Sequence, residues 1–240
     1  MIRARVLAAA VATVAAVGGS GVVVSAQAAH MSVNEVASAG NRRVVPRGAP
    51  APITARDLLA KLTVRAESHA ASYQRAAFPT WIDADKDHCD TRKEVLIAES
   101  TKRVTLGARC KILTGRWTSL YDGATTRTAS TFDIDHVVPL EEAWTSGAWA
   151  WTSARRTDFA NDLGYPFSLQ AVSAGSNRSK GDRDPAEWLP ARNLCTYAVR
   201  WVAVKYRWSL AIDSAEQREL ARLLSGTCGE ARLGLPPLGT

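Results

Sequence analysis

The tightest constraint on this chain is the nonapeptide Phe132-Asp133-Ile134-Asp135-His136-Val137-Val138-Pro139-Leu140. Apolar Phe132, Ile134 and Val137 interleave with acids, as a short strand with one covered face requires. Pro139 has no N–H with which to continue a ladder, so the strand must stop there. Neighbours on a strand point to opposite faces, which splits Asp135 and His136 between the two sides of any sheet they join. One can hold a cation while the other faces a substrate held beside it. A second strand-like run, Ser168-Leu169-Gln170-Ala171-Val172, precedes Asn177-Arg178-Ser179-Lys180-Gly181-Asp182, which adds an amide oxygen and two cations. Carboxylate and amide oxygens suit a hard divalent cation whose remaining sites go to water or phosphate. Histidine is the side chain whose ordinary pKa lets it take a proton from water near neutral pH. An Asp N-cap beside a surface His would give the same dipeptide, so the weight falls on Asn177, 42 residues after Asp135 and behind an apolar run of its own.

These two words, with Phe159-Ala160-Asn161-Asp162 and Asp184-Pro185-Ala186-Glu187-Trp188-Leu189-Pro190, resemble the HNH (ββα-metal) endonuclease superfamily. The likeness runs from near Tyr73 to near Leu220, and is strongest to the secreted branch of the HNH group that also supplies nuclease domains to modification-dependent restriction enzymes. It implies an α+β fold, mainly helical, around a small ββα-metal hairpin–helix unit. It also implies hydrolysis of phosphodiester bonds in nucleic acid, with DNA as the expected partner. By that resemblance His136 is the general base, and Asp135 and Asn177 are catalytic residues that ligate one divalent cation, Mg²⁺ or Mn²⁺. Arg178 and Lys180 would touch phosphate, although as solvated cations at a helix end they need no such partner. Asp133 would orient His136 or a metal-bound water. One position departs from the pattern: the middle Asn of the family falls on or near Ser168, and Asn161 is the other candidate for its supporting role.

Residues 1–28 read as a secretory leader, with Arg3 and Arg5 ahead of an Ala/Val-rich run and Ala26-Gln27-Ala28 as the cleavage site. A membrane anchor is the rival reading of the same run. Residues 29–53, rich in Ala, Ser, Gly and Pro, read as a flexible linker. The expected order is then a nuclease domain over 54–232 and a tail over 233–240, in a secreted, extracellular monomer free of the membrane once the leader is removed. Formal net charge is +7, or +5 without Arg3 and Arg5, a basic excess compatible with a polyanionic partner. Four cysteines in an exported chain suggest two disulfides, and no C-x-x-C spacing points to a zinc cage. Of the three pairings the sequence-local Cys89–Cys110 and Cys195–Cys228 are preferred, each worth about 3 kcal/mol on the chain-entropy account.

Asp83, Asp85, Asp87 and Glu94 stand at positions one, three, five and twelve of a calcium-loop register, which suggests a structural Ca²⁺. Position six, normally glycine, is His88. The plainer reading is an acidic lead-in to a helix over 91–100. Further helices are expected after Thr54, over 191–210, and over 215–225 behind a Ser214/Gln217 capping box. A hairpin is expected over 110–121, with Asp122-Gly123 as its turn. Trp149 and Trp151, interleaved with Arg155 and Arg156, can stack bases or simply pack the flank of the domain. Two other classes compete: a non-catalytic, calcium-dependent DNA- or wall-binding module, and another secreted hydrolase. The latter is disfavoured, since G-x-S-x-G and H-E-x-x-H are absent and the other histidines are His30, His69 and His88.

Overall fold

The computed structural model describes residues 51–239; the leader and the linker up to residue 50 lie outside them. In chain order the elements are β1 (Ile53–Thr54), α1 (Ala55–Leu59), α2 (Thr91–Ala98), β2 (Thr105–Gly107), β3 (Lys111–Thr114), β4 (Trp117–Thr118), β5 (Thr125–Thr126), β6 (Phe132–His136), α3 (Leu140–Thr145), α4 (Ser153–Ala160), β7 (Leu169–Ser173), α5 (Ala174–Lys180), α6 (Leu194–Arg207), α7 (Ser214–Leu223) and β8 (Arg232–Leu233). The fold is α+β, with antiparallel strand pairs β1–β8, β2–β3, β4–β5 and β6–β7 set among the helices. Among the described residues no helix is long and apolar enough to cross a membrane.

The β6–β7 pair positions the site. Phe132, Ile134 and His136 stand opposite Ser173, Ala171 and Leu169, while Asp133 and Asp135 stand opposite Val172 and Gln170. Alternation then gives two unlike faces. Phe132, Ile134, Leu169 and Ala171 are buried with Val95 and Leu96 of α2 and with Trp117. The large apolar ones among them contribute about 1.5–3 kcal/mol each by leaving water. The acidic face takes α5, whose Lys180 and Asn177 bond to Asp135 and Asp133. Trp117 seals the apolar side: its Nε1 donates to the Leu96 carbonyl at 2.7 Å. Its ring lies where a Cβ on Gly115 would sit 2.3 Å away, so residue 115 must be glycine.

The larger core gathers around α6, with Tyr197, Ala198, Trp201 and Val202 buried against Leu58 of α1, Leu140 of α3, Phe159 of α4 and Leu220 of α7. Buried Lys205 ties these helices together. Its ammonium bonds Glu142, Ser146 (2.6 Å), the Ala211 carbonyl (2.9 Å) and Glu216 (3.3 Å). Both sequence-local disulfides, Cys89–Cys110 and Cys195–Cys228, are present.

Several local expectations shift. Helix α6 is shorter than 191–210, because Asn193 and Ser209 at its two ends take left-handed backbone angles (φ 57° and 54°). The capping box of α7 is built by Asp213 and Glu216 rather than Ser214 and Gln217. The Asp213 carboxylate accepts from the Glu216 N–H at 2.7 Å, and Glu216 accepts in return from the Asp213 N–H. Asp122-Gly123 turns between β4 and β5, and β3 pairs upstream with β2 instead.

Candidate active site

His136 ends β6 with 7 % of its surface exposed. Its ring stacks with Trp81 and with Phe159, with centroids 5.7 and 6.3 Å away and planes 27° and 20° apart. Nε2 is 2.9 Å from the Ala160 carbonyl oxygen. A carbonyl only accepts, so Nε2 carries the proton and Nδ1 keeps the lone pair. Burial lowers the pKa of the ring to about 4, against a partly compensating pull from the Ala160 carbonyl. The imidazole is therefore neutral at physiological pH, with the lone pair on Nδ1.

Asp135, on the opposite face, is held by two donors. Lys180 Nζ lies 2.8 and 2.9 Å from its two oxygens and 2.8 Å from the His136 carbonyl, and Tyr121 Oη donates to Oδ2 at 2.5 Å. Burial raises the Asp135 carboxyl and lowers the Lys180 ammonium from their ordinary values, while their mutual attraction opposes both shifts. Charge-assisted bonds this short keep the pair ionised at neutral pH. Of the roughly four acceptor positions on a carboxylate, Oδ2 uses two and Oδ1 one, which leaves one on Oδ1.

Asn177, on α5, donates from Nδ2 to Asp133 Oδ2 at 3.2 Å. Fixing the amide nitrogen in this way leaves Oδ1 free to accept. Asp133 thus orients the amide and reaches exposed Arg178 at 3.8 Å; no bond joins it to His136. A cleft of about 210 Å³ is lined by Asp135, His136, Asn177 and Arg178 together with Arg75, Pro139 and Asp182. One carboxylate oxygen, already partly neutralised, plus one neutral amide oxygen fits a single hard cation that completes its shell with water and phosphate. Lys180 departs from the expected phosphate contact: it has no exposed surface, and all its bonds go to Asp135 and the His136 carbonyl.

The word Phe159-Ala160-Asn161-Asp162 backs the imidazole. Phe159 stacks on it and the Ala160 carbonyl accepts its Nε2–H bond. Asn161 accepts from the Ile82 N–H (3.1 Å) and Thr91 Oγ1 (2.9 Å), and donates to the carbonyls of Pro79 (2.7 Å) and Thr157 (2.8 Å). It therefore locks the end of α4 to the segment that carries Trp81. Ser168 donates to Asp162 at 2.6 Å and accepts from the Val137 N–H at 3.0 Å, which closes the strand end behind His136. Asp162 is in turn gripped by Arg207 at 2.7 and 2.9 Å. Asn161 and Ser168, the two positions considered for the middle Asn, both bond to the segments that surround His136.

The chain matches the family of GmrSD restriction endonuclease C-terminal domains over residues 89–223, a segment that carries β6, β7, α5 and every residue above except Arg75, Pro79, Trp81 and Ile82. The chain belongs to that family. Among known proteins it is also similar to an uncharacterized secreted protein of Arthroderma benhamiae, 43 % identical over 185 residues that cover 76 % of this chain and 89 % of that one. No solved structure matches the chain. Family membership leaves the GmrSD-type residues to be read from their geometry.

Sequence reasoning missed Arg75, Trp81 and Tyr121. Arg75 lines the cleft from a 3₁₀ turn (Arg75–Ala77) and adds to the positive field that lowers His136. A lone Arg 61 residues before His136 carries no signal of that. Tyr121 had one: a tyrosine just before a Gly turn that leads into the acidic strand. The acidic loop lies elsewhere. Carboxylate oxygens of Asp83, Asp85 and Asp87 come within 4.8 Å of one another, as do those of Asp87 and Glu94. His88 takes the left-handed angle (φ 76°) that the loop asks of glycine.

Proposed function

We propose that this GmrSD-type domain is a metal-dependent endonuclease of the HNH kind, exported from the cell, with DNA as its substrate, and that β6, β7 and α5 form its ββα-metal unit. The observation that carries this reading is the fixed tautomer of His136. With Nε2–H bonded to Ala160, Nδ1 is the acceptor in a cleft that also holds Asp135 and Asn177. Asp135 Oδ1 and Asn177 Oδ1 would hold one divalent cation, Mg²⁺ or Mn²⁺, which supplies positive charge where a phosphodiester and its leaving oxygen gain negative charge. Nδ1 of His136 takes the proton of the attacking water, and the resulting imidazolium is stabilised by the Ala160 carbonyl. Trp81 and Phe159 keep the ring in plane and exclude bulk water from its faces. Lys180 and Tyr121 fix the Asp135 carboxylate and offset its charge. With a neutral amide as the other ligand, the protein cancels little of the cation's charge before phosphate arrives. Arg75 and Arg178, both exposed at the cleft, are placed to meet phosphate oxygens. The secretion reading rests on the leader, the two disulfides and the described relative.

Metal titration of plasmid nicking by His136→Ala and Asn177→Ala tests the division of roles. Asn177→Ala loses activity that excess Mg²⁺ or Mn²⁺ partly restores, because a neutral ligand was removed. His136→Ala is restored at no concentration. An equal response of both variants, or full cleavage by the wild type in EDTA, refutes the assignment.

A further inference from the structure

Between Ser100 and Tyr121 the chain carries five cations, Lys102, Arg103, Arg109, Lys111 and Arg116, and no carboxylate. Residues 51–239 hold 25 Lys and Arg against 22 Asp and Glu, a net charge of +3; without this stretch the rest would stand at −2. The basic character of the domain is therefore concentrated in one place, the β2–β3 hairpin and its two flanks. All five side chains are exposed. Among the described residues none of the five has a carboxylate within 4.0 Å. Unpaired, clustered cations repel one another, and a fold retains that cost most readily where a polyanion relieves it.

The hairpin is also built to stay in place. Cys110, between its strands, is bonded to Cys89 at the start of α2. Arg92 of α2 donates to the Phe132 carbonyl at 2.6 Å, the first residue of the strand that ends in His136. Between hairpin and helix lies a hollow of about 490 Å³, whose rim carries Lys93, Lys111 and Arg127. Along β6 the path from Phe132 to His136 is about 13 Å at 3.3 Å per residue, close to four base steps of 3.4 Å.

We propose that the β2–β3 hairpin and this hollow are a phosphate-backbone docking surface, which holds a nucleic acid a few nucleotides away from the bond that is cut. This rests on the reading of the substrate as nucleic acid; it assigns where the strand is gripped, through the cations of the hairpin and of the rim of the hollow.

The test is the triple variant R103Q/K111Q/R116Q of the full mature chain, beside the control K61Q/R218Q/R232Q, which removes equal charge from exposed positions elsewhere. Binding of a labelled DNA duplex is measured in EDTA over a salt series, and hydrolysis of bis(p-nitrophenyl) phosphate, too small to span to the hairpin, is measured with metal. The hairpin variant weakens duplex binding about tenfold or more and lowers the slope of log K against log salt by about 3, at 0.9 per phosphate contact. Its hydrolysis of the small diester is unchanged, and the control keeps the wild-type slope. The single variant K111E lowers the slope by about 1 or more, and stands in for the triple variant should that one fail to fold. An unchanged slope, or an equal loss in the control, overturns the proposal. So does hairpin-dependent binding to phosphatidylglycerol vesicles without hairpin-dependent binding to DNA. Absence of all hydrolysis with hairpin-dependent duplex binding intact would instead overturn the nuclease reading and leave the docking surface standing.

Discussion

Replacing Lys180 by Met keeps most of the side-chain volume and removes a charge that no solvent reaches. Three bonds go, at 2.8, 2.9 and 2.8 Å, two to Asp135 and one to the His136 carbonyl. Tyr121 still donates to Asp135, but the carboxylate is left buried without a counter-charge. Breaking a buried pair from one side costs about 3–5 kcal/mol. For a domain of this size each kcal/mol lowers Tm by about 2–4 °C, so the expected fall is about 6–20 °C. Burial already raises the Asp135 carboxyl, and without Lys180 it rises further. The folded state then holds a proton that the unfolded state has lost, so the penalty shrinks as pH falls. Thermal melts in EDTA at several pH values read both effects. The double variant Lys180→Met/Asp135→Leu recovers most of the loss, since an apolar pair can replace a buried ionic one at little cost. If Lys180→Met melts like the wild type but binds DNA poorly, the ammonium reaches phosphate and its inward placement is wrong. If the double variant loses the sum of the two single losses, the residues are not a coupled pair.

Two further outcomes are expected. Burial raises Glu99 to about 7, against the pull of the Ala171 N–H that it accepts at 2.7 Å. Between the ordinary carboxyl pKa near 4.5 and 7 the folded state keeps a proton that the unfolded state releases. Stability therefore falls as pH rises through that window, and Glu99→Gln removes this part of the slope; identical profiles for variant and wild type would refute it. At the acidic loop we expect Ca²⁺ to raise Tm and Tb³⁺ bound there to be sensitised by Trp81. The triple variant D83N/D85N/D87N should lose both responses, and a wild type that shows neither holds no cation there.

Local rules carried the fold where a pattern was confined to a few residues. The strand ending before Pro139 and the helix after Thr54 follow from alternation, a missing N–H and a hydroxyl in reach of the next N–H groups. The α7 cap shows the limit. Ser214/Gln217 and Asp213/Glu216 fit the same spacing rule one residue apart, and tertiary contacts decide: Glu216 also bonds buried Lys205 and Trp201, so the helix is registered to the core. Pairing of β3 with β2 rather than with the Trp117 strand depends on Trp117 turning inward over Gly115 towards Leu96, a contact 21 residues apart that no local pattern announces.

The site divides along the same line. Asp135, His136 and Asn177 were legible because each offers an atom whose chemistry is tied to its type: an anion, a nitrogen base and an amide oxygen. Lys180 was not, because an ammonium at a helix end is equally at home in water, on phosphate or against a buried acid, and only the fold chooses. The choice has a consequence for how the cleft acts. A carboxylate and an amide alone would leave Asp135 able to protonate once buried, and a protonated acid is a poor metal ligand. Lys180 and Tyr121 hold it ionised and aim its remaining lone pair, while Asp133 does the same for the Asn177 oxygen. His136 is set in the same way by Ala160, whose place is kept by Asn161 through four bonds: two to the Pro79–Ile82 segment, one to Thr91 of α2 and one within α4. On the proposed reading, each group that would meet the substrate is oriented from behind by a neighbour, so little reorganisation would be left for the moment of reaction.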